Sequence, residues 1–194
     1  MSERRQRVVL VRHGETEWTL SGQHTGRTDI PLTERGREQA QRLAGRLAGR
    51  QFDLVFTSPL SRASETCRLA GFESRAQTRE ELQEWDYGAY EGKRTIEIRK
   101  THPRWTLWAD GVPQGETAAD VAARVDELLS ELRAADGDSL LFGHGHVLRV
   151  LAARWLGLGP EAGRLFALDP ATLSVLGYER ETSVVLGWNQ PAGW

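Results

Sequence analysis

The chain has 194 residues, of which 39% are hydrophobic and 27% are charged, and its formal net charge is -2 at pH 7. This length suits one globular domain with a sizeable core, or such a domain with a small insertion. The near-neutral charge excludes a general electrostatic attraction to nucleic acid or to a membrane surface, so any anion site must be built locally from a few arginines.

Cysteine content and the first residues indicate the compartment. The one cysteine, Cys67, excludes an intrachain disulfide and a thiolate metal cluster, and its place in a predicted helix suits a small core residue. Met1 to Arg7 leads into only four apolar residues, too few for a signal peptide or a spanning helix. We therefore expect a soluble, cytoplasmic protein.

The first predicted strand is Val8 to Val11, because all four residues are apolar and three are β-branched. Arg12, His13 and Gly14 follow directly, where the strand gives way to a loop. A histidine there can attack an electrophile while the arginine binds its charge, and Gly14 lets an anion approach the backbone. For one isolated triplet, a solvated strand end without function is the better explanation.

A loop and a helix are predicted next. Glu15 to Ile30 lacks periodicity and reads as a long loop over the end of the sheet, a kind of loop that is usually functional. A helix then begins near Pro31 with Thr33 as its N-cap and continues to about Arg50. Its apolar stripe consists of Ala40, Leu43, Ala44 and Leu47.

The second predicted strand, Phe52 to Phe56, ends in the turn Thr57 to Ala63. A helix that begins near Ser61 places Arg62 in its first turn. The helix dipole disfavours a positive charge there unless an anion is bound, so Arg62 is either an anion ligand or an ordinary surface arginine.

Residues 80 to 116 do not resemble another strand and helix repeat. They are rich in glycine and aromatic residues, and we expect an irregular or helical insertion that caps the loops of the sheet. The aromatic residues are Trp85, Tyr87, Tyr90, Trp105 and Trp108. Core or lid packing explains most of them.

The last third of the chain returns to regular elements. An amphipathic helix is predicted from about Thr117 to Arg133, and a third buried strand from Ser139 to Phe142. Gly143-His144-Gly145-His146 follows that strand and leads into a helix at Val147 to Leu156.

Two alternating segments near the end, Ala171 to Tyr178 and Ser183 to Trp188, predict a hairpin at the edge of the sheet. An exposed edge strand is a surface on which two copies of a chain can pair, so a homodimer is possible.

Three predicted strands therefore end in chemically active residues. A parallel sheet brings such ends to one edge, where open α/β sheets bind ligands. The residues brought together would be Arg12, His13, Arg62 and His144. Guanidinium groups repel a cation, so the set suits no metal. It suits a phosphoryl group, because arginine matches phosphate oxygens and a neutral imidazole can attack phosphorus.

Five segments together resemble the histidine phosphatase superfamily, which includes cofactor-dependent phosphoglycerate mutases and many small phosphatases. They are Arg12-His13-Gly14-Glu15-Thr16, Thr25-Gly26 with Asp29 and Pro31-Leu32-Thr33, Ser58-Pro59-Leu60-Ser61-Arg62-Ala63, Glu84 with Gly88 and Glu91-Gly92, and Gly143-His144-Gly145. The resemblance implies a three-layer α/β/α sandwich with a mostly parallel sheet. Residues 1–194 would form one domain with a cap insertion at about 80–116.

The resemblance also implies roles. His13 would be the nucleophile that forms a phosphohistidine, and Arg12, Arg62 and His144 would hold the phosphoryl oxygens. Glu84 would protonate the leaving group and later accept a proton from water, with Trp85 and Tyr87 packed beside it. Glu80, Glu81 and Glu91 are rejected as the proton donor on motif spacing. No metal or other cofactor is expected.

Further contacts to phosphate or substrate are expected from five residues, namely Thr19, Thr25, Gly26, Tyr87 and Gly145. Many relatives have Asn where this chain has Thr19, which keeps a hydroxyl but lacks the amide. A second phosphate or a carboxylate has several possible partners, although a solvated basic face explains each of them better. They are Arg27, Lys93, Arg94, Arg99, Lys100 and His102.

Hydrolysis is favoured over phosphoryl transfer between substrates. Mutases of the family carry a longer insertion with an adjacent pair of arginines, and Lys93 to Asp120 has no such pair. Glu84 to Gly92 and Ser21 to Gly26 resemble sedoheptulose-bisphosphatase-like and acid-phosphatase-like enzymes, so the expected substrate is a small phosphorylated metabolite, a sugar phosphate or bisphosphate. The alternatives are a phosphoglycerate mutase and a phosphate-binding protein without catalysis. Activity is expected to extend to acid pH.

Overall fold

A six-stranded sheet organises the protein, whose computed structural model describes residues 6–191. The strands are β1 (Val8–Arg12), β2 (Leu54–Thr57), β3 (Gln77–Thr78), β4 (Ser139–Gly143), β5 (Thr172–Glu179) and β6 (Thr182–Pro191). Their order is β3-β2-β4-β1-β5-β6. The first four in that order are parallel, and β5 pairs antiparallel with both β1 and β6. The predicted α/β fold with a mostly parallel sheet is confirmed.

Helices connect and cover the strands. They are α1 (Glu17–Ser21), α2 (Glu34–Leu47), α3 (Ser61–Leu69), α4 (Thr95–Ile98), α5 (Leu107–Asp110), α6 (Ala118–Ala134) and α7 (Gly145–Trp155). Short 3₁₀ turns lie at Glu73–Arg75, Glu80–Leu82, Gly88–Tyr90 and Pro160–Leu165. No helix within residues 6–191 is long and apolar enough to cross a membrane.

Two hydrophobic cores lie on opposite faces of the sheet, because successive side chains of a strand alternate between faces. Val8 and Leu10 of β1 pack with α6 and α7 on one face. Val9 and Val11 pack with α2 and α3 on the other. Cys67 belongs to the second core, and burial raises the pKa of its thiol to about 12. The sheet is therefore the middle of three layers.

The loop predicted at Glu15 to Ile30 contains a short helix, α1, that the sequence analysis missed. Its five residues bury no side chain, so they carry no apolar stripe to predict it. A capping box holds the helix instead, with the Thr16 hydroxyl accepting from the Thr19 amide and the Thr19 hydroxyl accepting from the Thr16 amide.

The segment between β3 and α6 is mostly irregular, as expected for residues 80 to 116. Its aromatic residues are largely structural, since Trp85, Tyr87 and Trp105 are buried in the α6 and α7 core. Trp85 donates its indole N–H to the Glu116 carbonyl at 2.8 Å, and Trp105 donates to the Gly111 carbonyl at 2.9 Å. The first bond reaches the residues just before α6, and the second holds the segment together internally.

Helix α2 begins at the predicted N-cap, where the Thr33 hydroxyl accepts from the Gly36 amide at 3.0 Å. The loop after His13 packs against this first turn so closely that a Cβ atom on Gly36 would lie 2.2 Å from the Glu15 carbonyl oxygen. Only glycine permits this approach between the helix and the loop.

Gly36→Ala is therefore expected to destabilise the protein by about 1 to 3 kcal/mol, because backbone atoms must shift to admit the methyl group. Gly45→Ala in the same helix is the matched control, since a Cβ atom there would meet nothing within 4 Å. Its higher helix propensity should stabilise by about 0.5 to 1 kcal/mol. Urea unfolding measures both changes, and stabilisation by Gly36→Ala would contradict the close packing.

Candidate active site

Three parallel strands end side by side at one edge of the sheet. Arg12 pairs in register with Gly143, and Thr57 pairs with Phe142. The His13 amide then donates to the Gly143 carbonyl at 3.0 Å. The residues that follow β1, β2 and β4 are thus brought together, as the sequence analysis predicted.

His13 presents a free ring nitrogen. Its Nδ1 lies 2.7 Å from the carbonyl oxygen of Gly14, and since a carbonyl only accepts, Nδ1 carries the proton. Nε2 is therefore left with its lone pair. Burial, with the nearby Arg12 and Arg62, holds the His13 pKa well below its usual range. The imidazole stays neutral and nucleophilic at pH values that protonate an ordinary histidine.

His144 is the second histidine, with its ring centroid 5.1 Å from that of His13. Its Nδ1 accepts from Arg62 Nε at 3.1 Å, so the ring proton is on Nε2, which lies 2.8 Å from the hydroxyl oxygen of Ser58. Burial keeps the His144 pKa well below its usual value, and electrostatic interactions with Arg62 and His13 lower it further. His144 is a neutral donor.

Arg62 is completely buried and ties several loops together. Its Nη2 donates to the Gly26 carbonyl at 2.8 Å and to the Thr25 carbonyl at 3.3 Å, and its Nη1 donates to the Thr28 carbonyl at 3.0 Å. Burial lowers the Arg62 pKa, although Glu84 and Asp29 oppose that shift. Much of the donor capacity of Arg62 therefore goes to positioning the loop at 25–28 and orienting His144.

Arg12 keeps a buried donor for a ligand. Its Nη1 donates to the Leu168 carbonyl, whereas its Nε is buried without a partner within the described part of the chain. Burial lowers the Arg12 pKa, and Glu84 is the largest opposing influence. A buried guanidinium N–H is costly to leave unpaired, which suits a site that binds an anion.

The carboxyl of Glu84 lies at the N-terminus of α7, where it takes the place of an N-cap side chain. Its Oε2 accepts from the His146 amide at 2.9 Å, and its Oε1 accepts from the Val147 and Trp85 amides at 2.9 Å each. The N-cap residue, His144, makes no such bond. This carboxyl explains why α7 begins two residues before the predicted start, because it satisfies free N–H groups of the first turn.

The remaining predicted pocket residues differ in what they offer. Thr19 uses its hydroxyl within α1, donating to the Thr16 carbonyl at 2.7 Å. Gly26 has no room for a side chain, since a Cβ atom would lie 2.5 Å from the Trp85 carbonyl oxygen. Gly145 begins α7 beside Arg12 and Glu84. Tyr87 is buried, with its hydroxyl 2.6 Å from His146 Nδ1.

Three residues of the pocket were missed by sequence reasoning: Ser58, His146 and Arg149. Burial lowers the Arg149 pKa, and Glu84 and Tyr87 oppose that shift. Its Cζ lies 4.8 Å from the ring centroid of Trp108. The available signal was the spacing of His146 and Arg149, which places them on one face of α7.

The cations suggested for a second anionic group are mostly engaged elsewhere. Arg27 pairs with Asp86 at 2.9 Å, Arg94 pairs with Glu97 at 3.1 Å, and Arg99 donates to a backbone carbonyl. Among the residues that the structure describes, no group of three or more metal-ligating side chains could hold a metal ion.

Known proteins share this sequence and fold. The chain is 41% identical over 184 residues to an acid phosphatase of Mycobacterium tuberculosis, covering 92% of this chain and 90% of that protein. It is 38% identical over 185 residues to sedoheptulose 1,7-bisphosphatase of Saccharomyces cerevisiae, covering 79% of this chain and 68% of the yeast protein.

A solved structure from a Mycobacterium tuberculosis open reading frame superposes with a TM-score of 0.92 at 36% identity, covering 97% of this chain and all 100% of the other. The model of the histidine phosphatase superfamily, branch 1, matches residues 8–191. The resemblance seen in the motifs is confirmed, and this chain belongs to the histidine phosphatase superfamily.

Proposed function

We propose that this chain hydrolyses phosphomonoesters of small metabolites through a phosphohistidine formed on Nε2 of His13. The observation that carries the proposal is the bond from His13 Nδ1 to the Gly14 carbonyl. It leaves Nε2 as a neutral nucleophile beside the half-buried Arg12 and the buried Arg62, which bind the phosphoryl oxygens of a substrate that the imidazole attacks. A His13 that stays neutral below its usual pKa supports activity on the acid side of neutrality.

In the first step, Nε2 of His13 forms a bond to phosphorus while the bond from phosphorus to the ester oxygen breaks. The departing oxygen takes a proton from the carboxyl of Glu84. Arg12 Nε supplies a charge-assisted donor to the oxygens of the transferring group. The His144 Nε2–H supplies a neutral donor when it exchanges its bond to the Ser58 hydroxyl for one to a phosphoryl oxygen.

In the second step, water attacks phosphorus and the bond from phosphorus to Nε2 breaks. The Glu84 carboxylate accepts the proton that the water loses, so one carboxyl acts as acid and then as base. Inorganic phosphate is released, the neutral imidazole and the protonated Glu84 carboxyl are restored, and the cycle consumes one water.

Phosphatase activity is favoured over a mutase and over a binder without catalysis. The relatives with 41% and 38% identity are named as phosphatases. A binder would not need both a nucleophile with a free lone pair and a buried carboxyl beside the pocket, and this chain has both in His13 and Glu84.

We assign residues 1–194 to one domain in which residues 80–116 form the cap that selects the substrate. Support comes from Tyr87 and Trp108, which belong to this segment and pack against His24, His146 and Arg149. His146 in turn lies 3.9 Å from the Glu84 carboxyl. Aromatic faces suit the carbon skeleton of a sugar, and a half-buried arginine suits an acidic group at its far end. The favoured substrates are therefore sugar bisphosphates and sugar phosphates. We place the protein itself in the cytoplasm.

A panel of phosphoesters in EDTA tests the activity and the substrate class together. We expect Arg149→Met to raise KM about 10-fold for sugar bisphosphates, because one charge-assisted bond is lost, with little effect on p-nitrophenyl phosphate. Arg154→Met on the same helix is the control, since Arg154 pairs with Asp126 at 2.9 Å away from the site.

Equal changes in KM for the sugar bisphosphate and for p-nitrophenyl phosphate would contradict a role for Arg149 in substrate recognition. Failure of the unaltered chain to release phosphate from any ester would favour a binding protein, and formation of 2-phosphoglycerate from 3-phosphoglycerate would favour a mutase.

A further inference from the structure

We propose that Arg124 is a positioning residue for Glu84, which it holds at the depth from which the carboxyl can deliver its proton. Arg124 lies in the second turn of α6, outside the five motifs that identify the family. The inference rests on the proposed hydrolase function, and it concerns how the loop that carries the proton donor is held.

Arg124 directs its whole guanidinium at that loop and at Glu116. Nη1 donates to the carbonyls of Glu81 and Gln83 at 2.7 Å each, and Nη2 donates to the carbonyl of Glu84 itself at 3.3 Å. Nε and Nη2 also form a bidentate pair with the Glu116 carboxylate at 2.8 and 3.0 Å. Five acceptors thus match the five N–H groups of one arginine.

Glu116 binds the backbone on the other side of Glu84. Its Oε2 accepts from the Asp86 amide at 2.8 Å, and its own amide donates to the Asp86 carbonyl at 3.0 Å. The Glu116 carbonyl accepts from the Trp85 indole. Arg124 and Glu116 therefore hydrogen-bond to the backbone at residues 81, 83, 84 and 86.

Two helices consequently fix the proton donor from different directions. The α7 amides of His146 and Val147 bind the Glu84 carboxyl, while α6 binds the Glu84 backbone through Arg124. Proton transfer needs heavy atoms about 2.6 to 3.2 Å apart, and a displacement of about 1 Å can cost ~100-fold in rate. Arg124→Lys keeps the charge but loses the fork, so it cannot bind three carbonyls and a carboxylate together.

Two substrates whose leaving groups differ in their need for a proton test this positioning role. p-Nitrophenolate is a weak base that leaves unprotonated, whereas a sugar alkoxide must receive a proton. We expect Arg124→Lys to lower kcat/KM for a sugar phosphate by about 10- to 100-fold, and kcat/KM for p-nitrophenyl phosphate by about 3-fold or less. Glu84→Gln should show the same selective pattern, more strongly.

The double variant Arg124→Lys, Glu84→Gln should be no slower on the sugar phosphate than Glu84→Gln alone, because the residues act as one unit. Arg154→Lys is the matched control, since it alters another bidentate arginine pair, with Asp126 of α6.

Equal losses on both substrates, or additive losses in the double variant, would overturn the positioning role. If Arg124→Lys unfolds, Glu116→Gln, which keeps an acceptor, gives the same comparison. An unaltered chain that hydrolyses neither ester would instead refute the proposed function, so the two failures are distinguishable.

Discussion

Replacement of His13 by alanine is expected to lower kcat/KM for p-nitrophenyl phosphate by on the order of 10⁵-fold, because the covalent route disappears. The physical basis is the free Nε2 lone pair, which the bond between Nδ1 and Gly14 directs into the pocket. His144 cannot substitute, because Arg62 donates to its Nδ1 and the ring proton is therefore on Nε2, which lies 2.8 Å from the Ser58 hydroxyl oxygen.

A trapped intermediate provides the direct measurement. Unaltered protein quenched at alkaline pH during turnover should carry one phosphoryl group on the peptide that contains His13, and His13→Ala should carry none. The exposed His102 gives the matched control, since His102→Ala removes an imidazole away from the strand ends. Undiminished turnover by His13→Ala would exclude it as the nucleophile.

Glu84→Gln is expected to have the second largest effect, a loss of about 10² to 10⁴ in kcat/KM for sugar phosphates. The amide is nearly isosteric with the carboxyl but cannot donate an acidic proton. With p-nitrophenyl phosphate the first step needs little protonation, whereas the second step is slow because the glutamine cannot take a proton from the attacking water. A burst of p-nitrophenolate should therefore precede slow turnover. Rapid-mixing absorbance measures the burst.

Stability must be measured beside activity, since Glu84 also serves α7. Its carboxyl accepts from the His146 and Val147 amides through two oxygens, whereas glutamine has one acceptor oxygen, and losing such a cap costs about 0.5 to 2 kcal/mol. Thr117→Ala tests the cost of losing a cap without touching the site, because the Thr117 hydroxyl accepts from the Asp120 amide at α6. Equal rates for Glu84→Gln and the unaltered chain on sugar phosphates would remove it as the proton donor.

Local sequence determined the regular elements well where each has its own hydrophobic pattern. The four apolar residues of β1, the stripe of α2 and the cap residue Thr33 depend on neighbours within a few positions. By contrast, α1 is held by a capping box with no apolar stripe, and β3 has only two exposed residues. Neither has a periodic signal, so neither was predicted.

Motif order in the sequence also predicted that the ends of β1, β2 and β4 share one edge, because parallel strands bring their carboxyl ends together. It named His13, Arg12, Arg62, His144 and Glu84, and the structure brings these five residues together at that edge. Their catalytic roles stay predictions that the substitutions above test.

Only the tertiary structure decided how those residues are held and which others join them. The tautomer of His144 follows from Arg62, 82 positions away in the chain, and the carboxyl of Glu84 is held by amides 62 and 63 positions away. Arg124 carries no local mark of function, because its importance comes from carbonyls and a carboxylate contributed by other elements. A sequence pattern reports short-range periodicity and residue type, whereas hydrogen-bond partners and burial depend on how the elements pack.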